Sequence, residues 1–205
     1  MSTIVIGITG PTGAGKSSLR ELFEKRDFVF LDADLYARRI TERGSSTLTA
    51  LADTFGADIL DQSGNLNRKK LSERAFSSKE NTERLNSITH PAITALISED
   101  LNSARSRGQN AVIDAPLLFE SGAYKLCDVV IAVTASYEDR LKRITERDLI
   151  TKEQAEMRMN SQHQNEYYES RAAYTICNEG STEQFLRAVG ELIDGVIERE
   201  SSAKG

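Results

Sequence analysis

A glycine-rich segment near the start of the chain has the residue types needed to bind phosphates. Residues 10–17 read Gly-Pro-Thr-Gly-Ala-Gly-Lys-Ser and match the template Gly-x-x-x-x-Gly-Lys-[Ser/Thr] at every fixed position. Glycines let backbone N–H groups turn toward phosphate oxygens, and the lysine reaches the β- and γ-phosphates. The serine hydroxyl is suited to ligate Mg²⁺. The segment therefore predicts a nucleoside-triphosphate site, with Lys16 and Ser17 at its centre.

The stretches on either side of this segment have the patterns that such a loop requires. Ile4–Thr9 is a run rich in β-branched apolar residues, which predicts a buried strand. Lys16–Arg26 predicts a helix, because Leu19, Leu22 and Phe23 fall on one face. A strand, a glycine-rich loop and a helix N-terminus together form an anion site, since the helix dipole adds partial positive charge.

Three aspartates follow predicted strands, where a parallel sheet places its ligands. Asp32 and Asp34 come at and after the end of Phe28–Asp32, and Asp114 lies near the end of Ala111–Ala115. Asp34 is the candidate to accept the proton of an attacking hydroxyl, although either of the first two aspartates can instead cap the helical stretch that follows. Asp114 suits a Mg²⁺ ligand, directly or through water, or a simple polar strand end.

An arginine stripe follows the fourth predicted strand. Ser136–Asp148 predicts a helix with Ser136 as its N-cap, and Arg140, Arg143 and Arg147 lie on one face of it. Guanidinium groups can clamp a triphosphate and stabilise a transferring phosphoryl group, but a charged stripe is also typical of a solvated surface. Thr151–Arg171 continues in a polar helical style, and together the two stretches predict a lid that closes over the site.

The middle of the chain differs from both ends, because helical patterns dominate there without a convincing strand. The predicted helices are Ser46–Phe55, Arg68–Phe76, Asn81–Ile88 and Pro91–Arg107. About 65 residues of helix are too long for an ordinary crossover between strands, so we interpret the region as an insertion that holds the acceptor. His90 precedes Pro91, which biases it toward a junction between helices; a lone histidine there is either structural or functional.

The order of elements predicts an α/β fold of three layers, α/β/α, with a five-stranded and mostly parallel sheet. The last two strands are Asp128–Thr134 and Tyr174–Asn178, and an amphipathic helix over Thr182–Glu200 closes the chain. We divide the chain into a nucleotide-binding core, a helical insertion, an arginine-rich lid and a disordered tail. Their predicted bounds are 1–34 with 109–135 and 172–200 for the core, 35–108 for the insertion, 136–171 for the lid and 201–205 for the tail.

Composition excludes several classes of protein. The net charge of −5 argues against a general nucleic-acid binder, which needs a basic face. No apolar stretch approaches 18 residues, and the first residues lack a basic n-region, so we expect neither a membrane span nor a signal peptide. Cys127 and Cys177 have no metal-ligand spacing, which predicts buried, reduced thiols and a cytoplasmic protein. The sequence carries no signal for an oligomeric state.

Several separated blocks of the chain resemble the dephospho-coenzyme A kinase family, from Ile4 to about Ile197. The blocks are Gly7–Gly10 with Gly13–Ser18, Asp32-Ala33-Asp34, Phe55-Gly56, Gly64 with Leu66-Asn67-Arg68 and Leu71, Leu85 with Ile88 and His90-Pro91, Asp114–Glu120, Arg143 with Arg147-Asp148, Arg158, Gln162, and Ile176 with Asn178 and Gly180. A phosphate loop alone would be weak evidence for this family. The aspartate, His-Pro and Pro-Leu-Leu-Phe-Glu blocks in this order make the resemblance specific.

The resemblance implies ATP-dependent phosphorylation of the ribose 3′-hydroxyl of dephospho-CoA, the last step of coenzyme A synthesis, with Mg²⁺. It implies that Asp34 is the catalytic base and that Lys16, Arg143 and Arg147 neutralise the phosphoryl group in flight. ATP would bind to the loop, and the acceptor to the insertion and the third strand. The implied binding residues are Gly13, Ala14, Gly15, Lys16, Ser17 and Ser18 for ATP, Asp34, Arg68 and His90 for the acceptor, and Ser17 for the metal. The residues themselves add two candidates, Leu118 as core or as the apolar wall of an acceptor pocket, and Asp114 as a metal ligand.

Two other interpretations of the residues stay open at this point. A nucleoside or nucleoside-monophosphate kinase would use the same core with a different acceptor pocket. A non-catalytic nucleotide-binding module would bind ATP without transferring a phosphoryl group, although it would need neither the Asp34 carboxylate nor an arginine lid. A GTPase is disfavoured, because the chain has no Asn/Thr-Lys-x-Asp motif.

Overall fold

The computed structural model describes residues 3–203 and divides them into two compact units. One unit comprises residues 32–100, and the other joins the chain before residue 32 to the chain from residue 101 onward. For reference, the nine helices of the described chain are α1 Arg20–Glu24, α2 Ala33–Arg39, α3 Ser46–Phe55, α4 Arg68–Ala75, α5 Lys79–Ser106, α6 Tyr137–Asp148, α7 Lys152–Asn160, α8 Asn165–Glu169 and α9 Thr182–Ala203.

A five-stranded parallel sheet is the centre of the unit that joins the chain before residue 32 to the chain from residue 101 onward, and it confirms the predicted fold class. Its strands are β1 Val5–Thr9, β2 Val29–Asp32, β3 Ala111–Asp114, β4 Val129–Thr134 and β5 Tyr174–Cys177, in the order β2-β3-β1-β4-β5. β1 pairs in parallel with both β3 and β4, and every residue of β1 and β4 is buried. A central strand covered on both faces explains why these runs are continuously apolar.

Apolar faces of α1 and α9 cover the sheet. Phe23 of α1 is fully buried, and its ring meets that of Phe28 edge-on, with centroids 5.3 Å apart. α9 buries four residues one or two turns apart in the same core, as its amphipathic pattern predicts. These residues are Phe185, Val189, Ile193 and Val196. Burial of this face fixes α9 against the sheet.

Residues 32–100 form a helical unit with its own small core. Leu51 and Phe55 of α3 pack with Ile59, which lies in a short 3₁₀ turn, and with Leu71 and Ala75 of α4. α3 has the bounds that the sequence predicts, and α4 ends within one residue of its predicted end. The packing shows that this part of the chain is a compact body rather than a loop.

The long helix α5 corrects the prediction of a break at the His-Pro pair. The helix runs from Lys79 to Ser106 with Pro91 inside it, so His90 is helical and does not lie at a junction. Proline disfavours a helical residue before it but does not exclude one. A proline inside a helix costs about 3 kcal/mol, because it removes a backbone hydrogen bond and its ring clashes with the preceding turn. Here Ile88 packs against the core of the helical unit and Ile97 is fully buried, so tertiary packing offsets that cost.

Smaller differences concern the ends of elements. Ser201–Ala203 belong to the last turn of α9 rather than to a disordered tail, and residues 204–205 lie outside the described chain. The prediction of buried cysteines is wrong for Cys177, which is exposed because edge strand β5 alternates half-buried and exposed residues. Both thiols are free. Among residues 3–203, no helix combines the length and apolarity that crossing a membrane requires.

Candidate active site

The phosphate loop connects β1 to a 3₁₀ turn, Lys16–Leu19, which leads into α1. The predicted helix over 16–26 is thus a 3₁₀ turn followed by a short α-helix. Gly10, Gly13 and Gly15 have φ angles of 140°, 79° and 102°, which L-residues with side chains rarely adopt. A Cβ at Gly10 would also overlap the backbone oxygen of Val133 in β4. These three glycines are therefore required by backbone conformation, and Gly10 also by close packing.

Lys16 and the serines after it lie at the end of this loop. Lys16 Nζ donates to the backbone oxygen of Gly10 at 2.5 Å and lies 3.3 Å from that of Pro11, so the ammonium group lies against the loop. Ser17 is exposed, and Ser18 Oγ donates to the Gly15 oxygen at 2.7 Å. The Ser17 hydroxyl is thus accessible to a ligand, whereas Ser18 supports the loop.

Of the predicted lid arginines, the structure brings Arg143 to the loop. Its Nη1 donates to the backbone oxygen of Gly13 at 3.3 Å and lies 3.5 Å from that of Ala14. Its Nη2 donates to the backbone oxygen of Asn178, which follows β5, at 3.1 Å. The second arginine of the stripe therefore belongs to the phosphate site and is not a solvated surface residue.

Arg147 has different partners in the structure. Its guanidinium makes two hydrogen bonds to Asp148, at 2.7 and 2.8 Å, and Arg158 of α7 donates to the same carboxylate at 2.7 Å. The hydrogen bond from Arg147 holds the pKa of Asp148 below its ordinary value. One carboxylate facing two guanidiniums leaves a local excess of one positive charge at the C-terminus of α6.

Arg140, the first arginine of the α6 stripe, is buried. Only 1% of it is exposed, and its Nε donates to the backbone oxygen of Thr12 at 2.9 Å. A buried guanidinium cannot clamp a ligand directly, so the three arginines on one helix face have three different environments. Gln162 adds a further bond to the same loop residue, because its Oε1 accepts the N–H of Thr12 at 2.8 Å.

The structure distinguishes the two aspartates that follow β2. Asp32 is the N-cap of α2, and its carboxylate accepts the N–H of Asp34 at 2.9 Å. Asp34 lies in the first turn of α2 with its side chain exposed. The capping role therefore belongs to Asp32, which leaves the Asp34 carboxylate available to a substrate.

The other residues predicted for the acceptor lie in different environments. Arg68 is an exposed residue at the start of α4, where its Nη2 donates to the Thr41 hydroxyl at 3.1 Å, and His90 is half-buried within α5. Leu118 is fully buried in the core, close to Gly7, so its packing does not support the predicted contact with a substrate. The neighbouring Leu117 is 46% exposed and is the leucine of this segment that a ligand can reach.

Asp114 ends β3 in register with Ile8 of β1, two residues before the loop begins. Mg²⁺ prefers oxygen ligands and usually keeps only one or two from the protein, with phosphate oxygens and waters completing its shell. The exposed Ser17 hydroxyl and the half-buried Asp114 carboxylate are donors of this kind. The donor set therefore fits a magnesium ion that arrives with a nucleotide.

With the geometry described, comparison with known proteins identifies the family. The family model for dephospho-CoA kinase matches residues 4–184. The chain belongs to the dephospho-CoA kinase family. A curated family member from Corynebacterium diphtheriae is 41% identical over 189 residues, which cover 92% of this chain and 94% of that protein. A second, from Fusobacterium nucleatum, is 39% identical over 189 residues, which cover 92% and 96%.

Solved structures agree with this family membership. The dephospho-CoA kinase from Campylobacter jejuni superposes with a TM-score of 0.71 at 29% identity, and the match covers 96% of this chain and 98% of that one. ATP is the co-substrate of such a kinase.

Proposed function

We propose that the chain transfers the γ-phosphoryl group of ATP to the ribose 3′-hydroxyl of dephospho-CoA, giving CoA and ADP. The observation that supports this most directly is the contact of Arg143 with the carbonyls of Gly13 and Ala14, in a chain that belongs to the dephospho-CoA kinase family. Phosphoryl transfer is mostly positioning and electrostatics, so a cation held at the phosphate loop is the group the reaction needs.

We assign separate roles to the charged residues. The loop residues Gly13–Ser18 would bind the phosphates of ATP, while Lys16 and Arg143 would neutralise charge on the transferring group. Arg147 would add to this charge once it exchanges Asp148 for a phosphate oxygen. Asp34 would accept the proton of the 3′-hydroxyl while the 3′-oxygen bonds to the γ-phosphorus. The bond between the γ-phosphorus and the oxygen that leaves with ADP breaks in the same step.

The remaining predicted residues would hold the acceptor and the metal. Arg68 and His90, both in the helical unit, would help to bind dephospho-CoA. Ser17, with Asp114, would hold Mg²⁺, which when bound neutralises charge on the β- and γ-phosphates. Residues 136–171 would act as the lid, since excluding water prevents hydrolysis of ATP in place of transfer. We expect the reaction to run in the cytoplasm, a reducing compartment that suits two free thiols.

The test is ADP release from ATP and Mg²⁺ with dephospho-CoA, run in parallel with AMP, CMP, UMP and adenosine. Release only with dephospho-CoA, together with a product heavier by one phosphoryl group, is the expected result. Release only with a nucleoside or nucleoside monophosphate would retain the kinase chemistry and overturn the acceptor. ATP binding without turnover of any acceptor would overturn the enzymatic function.

A further inference from the structure

Two buried side chains donate hydrogen bonds to backbone carbonyl groups of the phosphate loop. Arg140 of α6 donates from Nε to the Thr12 oxygen at 2.9 Å, and Asn178 donates from Nδ2 to the Ala14 oxygen at 2.8 Å. Arg140 is 1% exposed and Asn178 is 7% exposed. Because they come from different elements and are packed in place, their donors fix the directions of two loop carbonyls.

The direction of a carbonyl sets the direction of the next N–H group. The peptides of the described chain are trans, and in a planar trans peptide the C=O of one residue and the N–H of the next point in opposite directions. With the Thr12 carbonyl directed to Arg140, the Gly13 N–H is directed away from that guanidinium. With the Ala14 carbonyl directed to Asn178, the Gly15 N–H is likewise directed away from that amide.

The N–H group of Ala14, between Gly13 and Gly15, forms a hydrogen bond within the loop. Ala14 N–H donates to the backbone oxygen of Pro11 at 3.3 Å, which closes a turn inside the loop. The loop thus alternates an outward, an internal and an outward N–H over three residues. Successive N–H groups held in one concave loop are the kind of site that binds anions.

Packing brings each outward glycine against the residue whose side chain orients it, through the backbone of Arg140 at Gly13 and through the side chain of Asn178 at Gly15. A Cβ at Gly13 would lie 2.8 Å from the backbone oxygen of Arg140, and a Cβ at Gly15 would overlap Nδ2 of Asn178. No larger residue fits either position without displacing its partner. Gly13 is therefore matched to Arg140, and Gly15 to Asn178.

The cost of burying Arg140 indicates a role beyond stability. Burial lowers the pKa of its guanidinium, and its Nη2 is buried without a hydrogen-bond partner among the described residues. A buried charge with incomplete partners is often replaced by an apolar residue without loss of stability. The guanidinium at this position is accounted for by its bond to the loop and by the positive charge it places next to that loop.

We propose that Arg140 and Asn178 are positioning residues for phosphoryl transfer, which aim the N–H groups of Gly13 and Gly15 at the phosphate oxygens of ATP. Neither side chain touches the nucleotide; each acts through one peptide group of the loop. The inference rests on ATP being the phosphoryl donor and does not depend on the acceptor.

The experiment follows the glycine amide resonances on addition of ATP and Mg²⁺. The chain has 13 glycines and a mass of 22.7 kDa, so ¹⁵N-glycine labelling gives a simple spectrum. In the wild-type chain, the amide protons of Gly13 and Gly15 should both move downfield. Arg140→Met should abolish the shift of Gly13 and keep that of Gly15, and Asn178→Ala should do the reverse.

Binding affinity and folding supply the second readout. Each variant should weaken ATP binding by about 10-fold or more, the effect of losing one hydrogen bond to a charged group. Arg140→Met should melt at or above the wild-type temperature. Asn110→Ala is the matched control, because its Oδ1 accepts the Ile4 N–H at 3.0 Å at the opposite end of β1. This control should lose stability and keep ATP affinity.

Several outcomes overturn the inference. It is wrong if both shifts persist in both variants, or if either variant abolishes both shifts together. Should Arg140→Met fail to fold, the Asn178→Ala result alone decides by the same criteria. If neither glycine responds to ATP in the wild-type chain, the inference is also wrong. The acceptor assay under the proposed function then decides separately whether the kinase reaction survives.

Discussion

The guanidinium of Arg143 links the phosphate loop to the end of β5, since it donates both to Gly13 and to the backbone oxygen of Asn178. Nη1 lies 3.3 Å from the Gly13 oxygen, and Nη2 lies 3.1 Å from the Asn178 oxygen. The loop follows β1, which pairs with β3 on one side and β4 on the other. A guanidinium held between a loop and a neighbouring strand end would need little reorganisation as charge develops on a transferring phosphoryl group.

Arg143→Gln should lower kcat by about 10²–10³-fold, because it removes one electrostatic contact to the transferring group. Steady-state kinetics with ATP and dephospho-CoA measure the effect, and thermal melting checks the fold. Arg187→Gln is the control, since Arg187 is an exposed partner of Glu191 on α9. A variant at position 143 with more than half of the wild-type kcat would remove Arg143 from the mechanism.

Asp34→Asn should lower kcat by about 10²-fold or more with the fold intact, because an amide cannot accept the proton of the 3′-hydroxyl. Asp32→Ala is the contrasting variant. It removes the N-cap of α2 and should cost about 1 kcal/mol of stability. Kinetics combined with urea unfolding separates the two effects. Near-wild-type turnover by Asp34→Asn would exclude it as the base.

Asp148 should make a pH-dependent contribution to stability. Hydrogen bonding from Arg147 lowers its folded pKa below the ordinary 3.8, so the stabilisation is fully present well above that value and is lost as the pH falls through the folded pKa. The difference in unfolding free energy between the wild-type chain and Asp148→Asn should be constant from about pH 8 to 5.5 and shrink below about pH 5. Urea unfolding across this range measures it. A difference that grows on acidification would contradict the assignment.

The two cysteines should differ in reactivity toward a thiol reagent. Burial, and to a smaller extent the negative charge of Asp128, raise the pKa of Cys127 to about 12. Cys177 is exposed. Burial and the bond to Glu179 also raise the pKa of Cys177, so its modification should speed up as the pH rises above 8. Titration at pH 8 should modify one thiol in the native chain and two in denaturant. In Cys177→Ser, the native reaction should disappear; persistence of a fast thiol would show that Cys127 is accessible.

The sequence predicted the elements whose patterns are local. Apolar runs located all five strands within one residue at each end, and Ser136 caps α6 as predicted, by accepting the N–H of Asp139 at 3.1 Å. Turn chemistry and hydrophobic period are properties of neighbouring residues, so one sequence suffices to read them. The helix break predicted at His90-Pro91 was wrong, because the packing of α5 outweighs the local tendency of a residue before proline to leave the helix.

The contacts of the site join residues that are far apart in the chain, and the spacing of residues in the sequence does not predict such contacts. Arg140, Arg143 and Arg147 share a helix face, yet one is buried against the loop, one bonds its carbonyls and one pairs with Asp148. The bond between Asn178 and Ala14 spans 164 positions of sequence. The only advance signal for Arg140 was its place one turn before Arg143, and Asn178 stood out only within the family resemblance.

The most direct test of the central claim is the position at which ATP phosphorylates dephospho-CoA. Purified chain, ATP and Mg²⁺ should convert dephospho-CoA to a product heavier by one phosphoryl group, with phosphorus coupled to the ribose 3′ proton in the NMR spectrum. The 3′-deoxy analogue of dephospho-CoA should not react. A product phosphorylated elsewhere, or turnover of the 3′-deoxy analogue, would contradict transfer to the 3′-hydroxyl.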